Sequence, residues 1–266
     1  VDNATTGAYT VTFKTTSGSG VTWAAADKGT KMVYSDGTNV IDTAFTDLSS
    51  DFSPQLSADL DANGKNITID TATGIIDENG NQQITFSTTG SAVNEFTVAN
   101  AATGNAPAIS VTGGDTNIDL NLTPKGIGRA TFNGQGKIQS VAEKVTTAAI
   151  AATGTINYDV LTQAVLNYTT DAGANWTLNI RGDGSNSLDS IMDTGESITI
   201  AHIVKQGSTP YYNSAVTIDG SSITPEYQGG SAPTAGNASS LDVYTYTIIK
   251  TGSATFTALA SQTQFA

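Results

Sequence analysis

Trp176-Thr177-Leu178-Asn179-Ile180-Arg181 and Ser197-Ile198-Thr199-Ile200-Ala201-His202-Ile203-Val204-Lys205 decide the fold class. In each segment every second residue is large and apolar, apart from His202, which shares the parity of Ile198, Ile200 and Val204. A repeat of two belongs to a strand with one buried face, because successive side chains leave a strand on opposite sides. The same alternation runs outward through Ala164 to Tyr168, Val216 and Ile218, Val243 to Ile249, and Thr255 to Leu259. Asp219-Gly220 separates Ile218 from Ile223 and is a two-residue hairpin signal. Six or more strands within 155–266 predict a β-sandwich or jelly-roll head, with loops at 205–213 and 225–240.

Upstream, 63–141 has a different texture. Short apolar-x-apolar pairs recur: Ile67/Ile69, Ile84/Phe86, Phe96/Val98, Ile109/Val111, Leu120/Leu122 and Ala130/Phe132. Their first residues lie 17, 12, 13, 11 and 10 positions apart, with Gly, Asn, Asp and Thr between. A three-residue strand cannot bury an apolar face alone, and an isolated hairpin is marginal in water. Stacking such strands along an axis covers them, and three chains would cover them from all sides. The expectation is an intertwined trimeric β-shaft over 63–141; the competing reading is a single-chain β-meander. Residues 1–50 read as a small β module, with turns at Ser17-Gly18-Ser19-Gly20 and Ser35-Asp36-Gly37-Thr38. Residues 51–62 read as a linker and 142–154 as a connector. Helical patterning is nearly absent, its best candidate being the Thr- and Ala-rich 142–150. The fold class expected is all-β.

Composition narrows the function. The 266 residues carry 11 Lys and Arg against 24 Asp and Glu, a net charge of −13. That field repels polyanions, so a nucleic-acid partner is excluded. With no cysteine, disulfides, thiolate metal sites and thiol nucleophiles are excluded as well. No apolar run approaches the roughly 18 residues of a membrane-spanning helix. No signal-peptide pattern opens the sequence, and its start at Val1 reads as a processed or partial chain. Charged residues make up 13% of the chain, while it holds 43 Thr, 24 Ser, 19 Asn and 27 Gly. Hydroxyls and amides therefore dominate the surface, which suits an extracellular structural protein.

Four sets of residues are candidates for chemistry or contact. Tyr211, Tyr212, Tyr227 and Gln228 lie in connections, where binding residues concentrate, and tyrosine rings stack on sugars or pack against strands. Asp183, Asp189, Asp193 and Glu196 form the densest acidic segment of the C-terminal part, next to Arg181. Glycoside hydrolysis would need two such carboxyls about 5–9.5 Å apart; turn-forming aspartates are the plainer reading. His202, the one histidine, reads as a packed strand residue. Asp61-Ala62-Asn63-Gly64 and Asp77-Glu78-Asn79-Gly80-Asn81 are oxygen-rich turns and weak candidates for structural calcium, since neither completes a twelve-residue calcium loop. They read as type I′ turns. No other cofactor is expected.

Several phrases resemble virion fibre proteins of phages, the tail or head fibres of the marine and cyanobacterial type. Tyr9 to Phe13, Gly20-Val21-Thr22 and Val33-Tyr34-Ser35-Asp36-Gly37-Thr38-Asn39-Val40 look like a module that recurs in such fibres. Asp115-Thr116-Asn117-Ile118-Asp119-Leu120 and Leu122-Thr123-Pro124-Lys125-Gly126 are similar to their shaft phrases. Trp176 to Gly182, Pro210 to Ser214 and Asp242 to Lys250 look like a domain that ends many of them. The resemblance carries no catalytic motif and implies a non-enzymatic homotrimer on the virion surface. One end would join other virion proteins, and the C-terminal head would meet a host-surface glycan or protein. A capsid fibre or decoration protein is the alternative, and a glycan-cleaving tailspike the second.

Overall fold

The computed structural model describes residues 1–25, 29–43 and 66–266. The 51–62 linker and the turn at Asp61 to Gly64 lie outside the described residues. The chain divides into two compact units, 1–93 and 94–266, and the division falls inside the stretch read as a shaft. Strands dominate both units, as the alternation predicts.

The first unit is built from two-residue to five-residue strands: β1 (Asp2–Asn3), β2 (Val11–Lys14), β3 (Gly20–Trp23), β4 (Gly29–Thr30), β5 (Val33–Ser35), β6 (Val40–Asp42), β7 (Thr73–Ile76) and β8 (Gln82–Phe86). They pair as β1–β4, β2–β3, β5–β6 and β7–β8, all antiparallel. Val21, Trp23 and Val40 form a small buried cluster with Val11 and Val33 against it. Trp23 Nε1 donates to the Gly29 carbonyl at 3.0 Å, so the ring is fixed at its polar end as well as packed. The β7–β8 turn is not type I′: of its Asn79-Gly80 pair only Gly80 has a positive φ, 83°. Asp77 closes the turn, its carboxylate accepting from the Asn79 and Asn81 amides at 2.9 and 2.8 Å.

The second unit begins with the hairpin β9 (Asn94–Ala99) and β10 (Ala108–Gly113), antiparallel with Val98 opposite Ile109 and Phe96 opposite Val111. Residues 114–144 hold no strand. Of the six apolar pairs, Ile84/Phe86, Phe96/Val98 and Ile109/Val111 lie in strands; the other three do not. A strand needs a hydrogen-bonded neighbour, and the described chain supplies none for those segments.

Ten further strands follow: β11 (Val145–Ala148), β12 (Gly154–Asp159), β13 (Val165–Tyr168), β14 (Trp176–Arg181), β15 (Ser197–Lys205), β16 (Asn213–Ile218), β17 (Ser221–Ile223), β18 (Glu226–Tyr227), β19 (Leu241–Gly252) and β20 (Thr255–Phe265). They form a six-stranded sheet in the order β11-β13-β15-β19-β20-β18 and a four-stranded sheet in the order β12-β14-β16-β17. The segment read as a connector thus supplies the edge strand β11. Val145, Thr146 and Thr147 are β-branched, and their stiff χ1 favours the strand that 142–150 forms over a helix. From β11 to β16 the chain alternates between the two sheets. Sheet neighbours in this part are therefore two strands apart in sequence and run parallel. A jelly roll would place antiparallel neighbours there. Antiparallel pairing returns with β16–β17, β15–β19 and β19–β20. The β16–β17 turn has φ of 50° at Asp219 and 79° at Gly220, the left-handed pair a two-residue hairpin demands.

The two sheets share one core. Tyr158, Trp176, Leu178, Ile180, Val216 and Ile218 from the four-stranded sheet meet Leu166, Tyr168, Ile200, Val204, Tyr244, Tyr246 and Ile248 from the six-stranded one. Tyr246 Oη donates to Asn213 Oδ1 at 2.7 Å, and Asn213 Nδ2 to the Trp176 carbonyl at 3.1 Å, joining the sheets by polar contacts as well. His202 lies in this core fully buried, edge-to-face with Tyr168 and Trp176 at 5.1 and 5.9 Å between ring centres. Neither imidazole nitrogen has a hydrogen-bond partner among the described residues.

Burial lowers the His202 pKa from the ordinary 6.5 to about 3. The folded chain therefore excludes a proton that the unfolded chain binds below pH 6.5. Stability from this group is complete above pH 6.5 and falls as pH drops toward about 3, at a slope approaching about 1.4 kcal/mol per pH unit. Urea unfolding of the wild type and of His202→Leu at pH 7.5 and 4.5 should show the wild type losing more stability. Equal losses would mean the imidazole is not held neutral.

Candidate functional site

The acidic segment is built around one short helix, α1 (Leu188–Ile191). Ser187 caps it, its Oγ accepting from the Ser190 amide at 3.0 Å. The Asp219 carboxylate adds a second cap from the β16–β17 turn, accepting from the Leu188 and Asp189 amides at 2.7 and 3.1 Å. Leu188 is fully buried, so the helix is anchored to the core by its first residue.

The four candidate carboxylates separate into three settings. Asp183 turns on its own loop, accepting from the Ser185 and Asn186 amides at 2.7 and 2.8 Å and from Asn186 Nδ2 at 3.0 Å. The loop closes tightly enough that a Cβ on Gly182 would lie 2.6 Å from the Asn186 carbonyl oxygen. The Ser185 amide and then the Asn186 side chain hold the Asp183 pKa down. Asp189 pairs with Lys250 at 2.7 Å and accepts from the Ala254 amide at 2.7 Å. Lys250 leads in lowering its pKa. Asp193 and Glu196 share Arg129: Nη2 reaches Asp193 at 2.8 Å, and Nη1 reaches both Glu196 oxygens at 2.6 and 2.7 Å. The Asp193 amide and then Arg129 lower the Glu196 pKa. Arg181 pairs with Asp159, at 2.6 Å, instead of an acid of this segment.

Two basic residues absent from the sequence reading thus organise the segment. Both of the chain's arginines hold carboxylates, and the scarcity of arginine in so acidic a chain is the one sequence signal from which such pairs could have been sought. Lys250 reaches inward from β19, and its ammonium donates to the Asp189 and Met192 carbonyls at 2.5 and 2.9 Å besides the Asp189 carboxylate. It ties α1 to the centre of the six-stranded sheet.

The aromatic candidates do not form one site. Tyr211 and Tyr212 precede β16, their amides donating to Gln206 Oε1 and Asn175 Oδ1 at 2.9 and 3.1 Å. Both rings pack against the core, as does Tyr227 on β18. Burial raises the Tyr227 pKa. Gln228 is exposed. With Tyr227 it lines a hollow of about 400 Å³ bordered by Glu226, Thr245, Thr247 and Ser261. A second cavity, of about 470 Å³, lies between Ile127 and Arg129 on one side and Leu161, Met192, Glu196 and Ile198 on the other. Of the two calcium candidates, the Asp77 turn uses both carboxylate oxygens internally, Oδ2 accepting from Asn81 Nδ2 at 3.1 Å.

Comparison with protein-family models, curated proteins and solved structures found no match. The arrangement of residues is therefore the ground for a functional reading. Every candidate carboxylate is engaged by a cation or by backbone donors, and the resolved pKa shifts among them are downward. A general acid at a glycosidic bond needs the opposite shift.

Replacing Lys250 by Met should lower unfolding stability by about 2–3 kcal/mol, because it strands two carbonyls that now accept from a charged donor. Glu196→Gln, on an exposed pair, should fall well short of that loss. Urea titration of both variants reads the difference.

Proposed function

We propose that this chain is a trimeric structural fibre of a phage particle, a tail fibre whose C-terminal domain meets a glycan or protein on the host surface. One observation carries the reading. The hairpins β7–β8 and β9–β10 each leave an apolar face in solvent: Ile75, Ile84 and Phe86 on the first, Phe96, Val98 and Ile109 on the second. Leu122, Phe132, Ile138 and Val141 continue the pattern through strandless chain, each between 63% and 73% exposed. Full burial of such a side chain contributes about 1.5–3 kcal/mol. A two-stranded ribbon with its apolar face in water lacks that contribution and is marginal. Further copies of the same chain would supply both the missing cover and the missing strand neighbours.

The opposite face of β9–β10 suits solvent. Thr97 and Thr112 pair through their hydroxyls at 2.8 Å, and Glu95 accepts from Thr112 at 3.0 Å. The resemblance of the sequence to phage fibres supports the same reading. The carboxylate settings favour an adhesive role over a cleaving one. Three linked heads would add avidity to weak single contacts.

Light scattering after size exclusion should give a mass near three times 27.2 kDa. Phe96→Asp together with Val98→Asp should shift that mass toward one chain. A wild-type mass of one chain would overturn the proposal. Free protein should block phage adsorption; labelled antibody at the capsid, with adsorption intact, would instead make the chain a head fibre or decoration protein.

A further inference from the structure

The outer faces of the two sheets of the C-terminal domain differ in kind. On the four-stranded sheet the outward residues of β12 and β14 are Thr155, Asn157, Asp159, Thr177, Asn179 and Arg181. They form polar ladders: Asn179 Nδ2 donates to Asn157 Oδ1 at 2.8 Å, Thr217 donates to Asn179 Oδ1 at 2.8 Å, and Arg181 pairs with Asp159. This surface is built for water. On the six-stranded sheet the outward positions include Val145, Val165, Ile203, Val243, Ile249 and Leu259, spread over five strands. None of the six belongs to the core cluster or packs against it. Val145 is 52% exposed and Leu259 46%. Thr, Ser, Ala and Asn fill most of the rest, Thr199 pairing with Thr247 at 3.0 Å. The charged residues on this face are Lys205, which pairs with Asp171 at the end of β15, and Glu226 on the edge strand β18.

We infer that the outer face of the six-stranded sheet is the surface through which the C-terminal domains of neighbouring copies meet; this rests on the trimeric reading. Area and charge select a second copy as the occupant. At about 4.8 Å between strands and 3.3 Å per residue, the six strands span a face on the order of 650 Å². That approaches the roughly 800 Å² each partner contributes to a standard stable interface. Each copy carries a net charge of −13, so like copies repel wherever their carboxylates face one another. Among the described residues this face holds one lysine, at the end of β15, and one glutamate, on the edge strand β18, and so offers like-charged chains a meeting surface with little net charge. It gives no complement to a charged partner. Three such sheets facing a common axis would close a ring without leaving one uncovered. The hollow beside Tyr227 and Gln228 opens on the same face through Thr245, Thr247 and Ser261, so these two residues border the contact between copies and their role is in assembly.

The absence of cysteine makes a direct test possible. Single variants Thr199→Cys and Leu259→Cys report on the six-stranded face, and Thr155→Cys and Ser222→Cys on the other. All four positions are exposed in the single chain. The full-length variants are sized by light scattering and reacted with a bulky maleimide. In the trimer, the first pair should label at least about tenfold more slowly than the second, as expected of a surface closed by a packed interface. All four should label alike in denaturant. A trimer whose four positions label at one rate overturns this inference and leaves the fibre reading standing. A wild-type mass of one chain overturns both.

Discussion

A strand has two faces, and an apolar face must be covered by something. Over 145–266 the two sheets meet this constraint for their facing sides inside the chain, and over much of 67–141 it is left unmet. In the former, the chain crosses from one sheet to the other five times running, from β11 to β16, so each new strand lays its apolar side chains against strands already in place. In the latter, β7–β8 and β9–β10 have a partner for their backbone groups and, among the described residues, no cover for their apolar face. The same residue types, Ile, Val and Phe, therefore do opposite work in the two regions.

Within the covered region the core is aromatic at its centre. Trp176 stands edge-to-face with both His202 and Tyr244, and Tyr168 stands edge-to-face with His202 as well. Such ring pairs contribute about 0.5–1.5 kcal/mol beyond area burial. They set off part of the cost of burying imidazole and indole N–H groups without hydrogen-bond partners, which is about 1–3 kcal/mol per group. The polar parts of the core that are satisfied sit where the sheets join: Tyr246 with Asn213, and Lys250 with the segment after α1.

Alternation in Trp176 to Arg181 and Ser197 to Lys205 was enough to show strands and which of their faces is buried. The Asp219-Gly220 hairpin was also plain, since Asp-Gly is one of the few pairs that take two left-handed positions cheaply. Which strands would be neighbours was not legible. Periodicity reports a side chain's face and is silent on the ladder beside it, so the parallel pairing of β12 with β14 has no trace in either segment. The carboxylates of the acidic segment were visible, but their partners were not. Arg129 lies 67 residues from Glu196, and Lys250 lies 61 from Asp189. Contacts at that separation depend on how the sheets stack. For the tyrosines the sequence left two readings open, contact or packing, because a loop position does not say where a ring turns; Tyr211, Tyr212 and Tyr227 are each partly buried against the core.

The order of the six-stranded sheet sets a schedule for synthesis. β19 lies between β15 and β20, near the middle of the sheet, yet it leaves the ribosome only after the whole 205–241 connection has been made. Until then β15 has a bare inner edge, and the core lacks Tyr244, Tyr246 and Ile248 together. A nascent chain therefore holds four parallel strand pairs whose apolar side chains stay partly uncovered until β19 arrives. Arrival of β19 closes that edge and adds the three side chains to the core, so the domain cannot be complete until translation has run past residue 250.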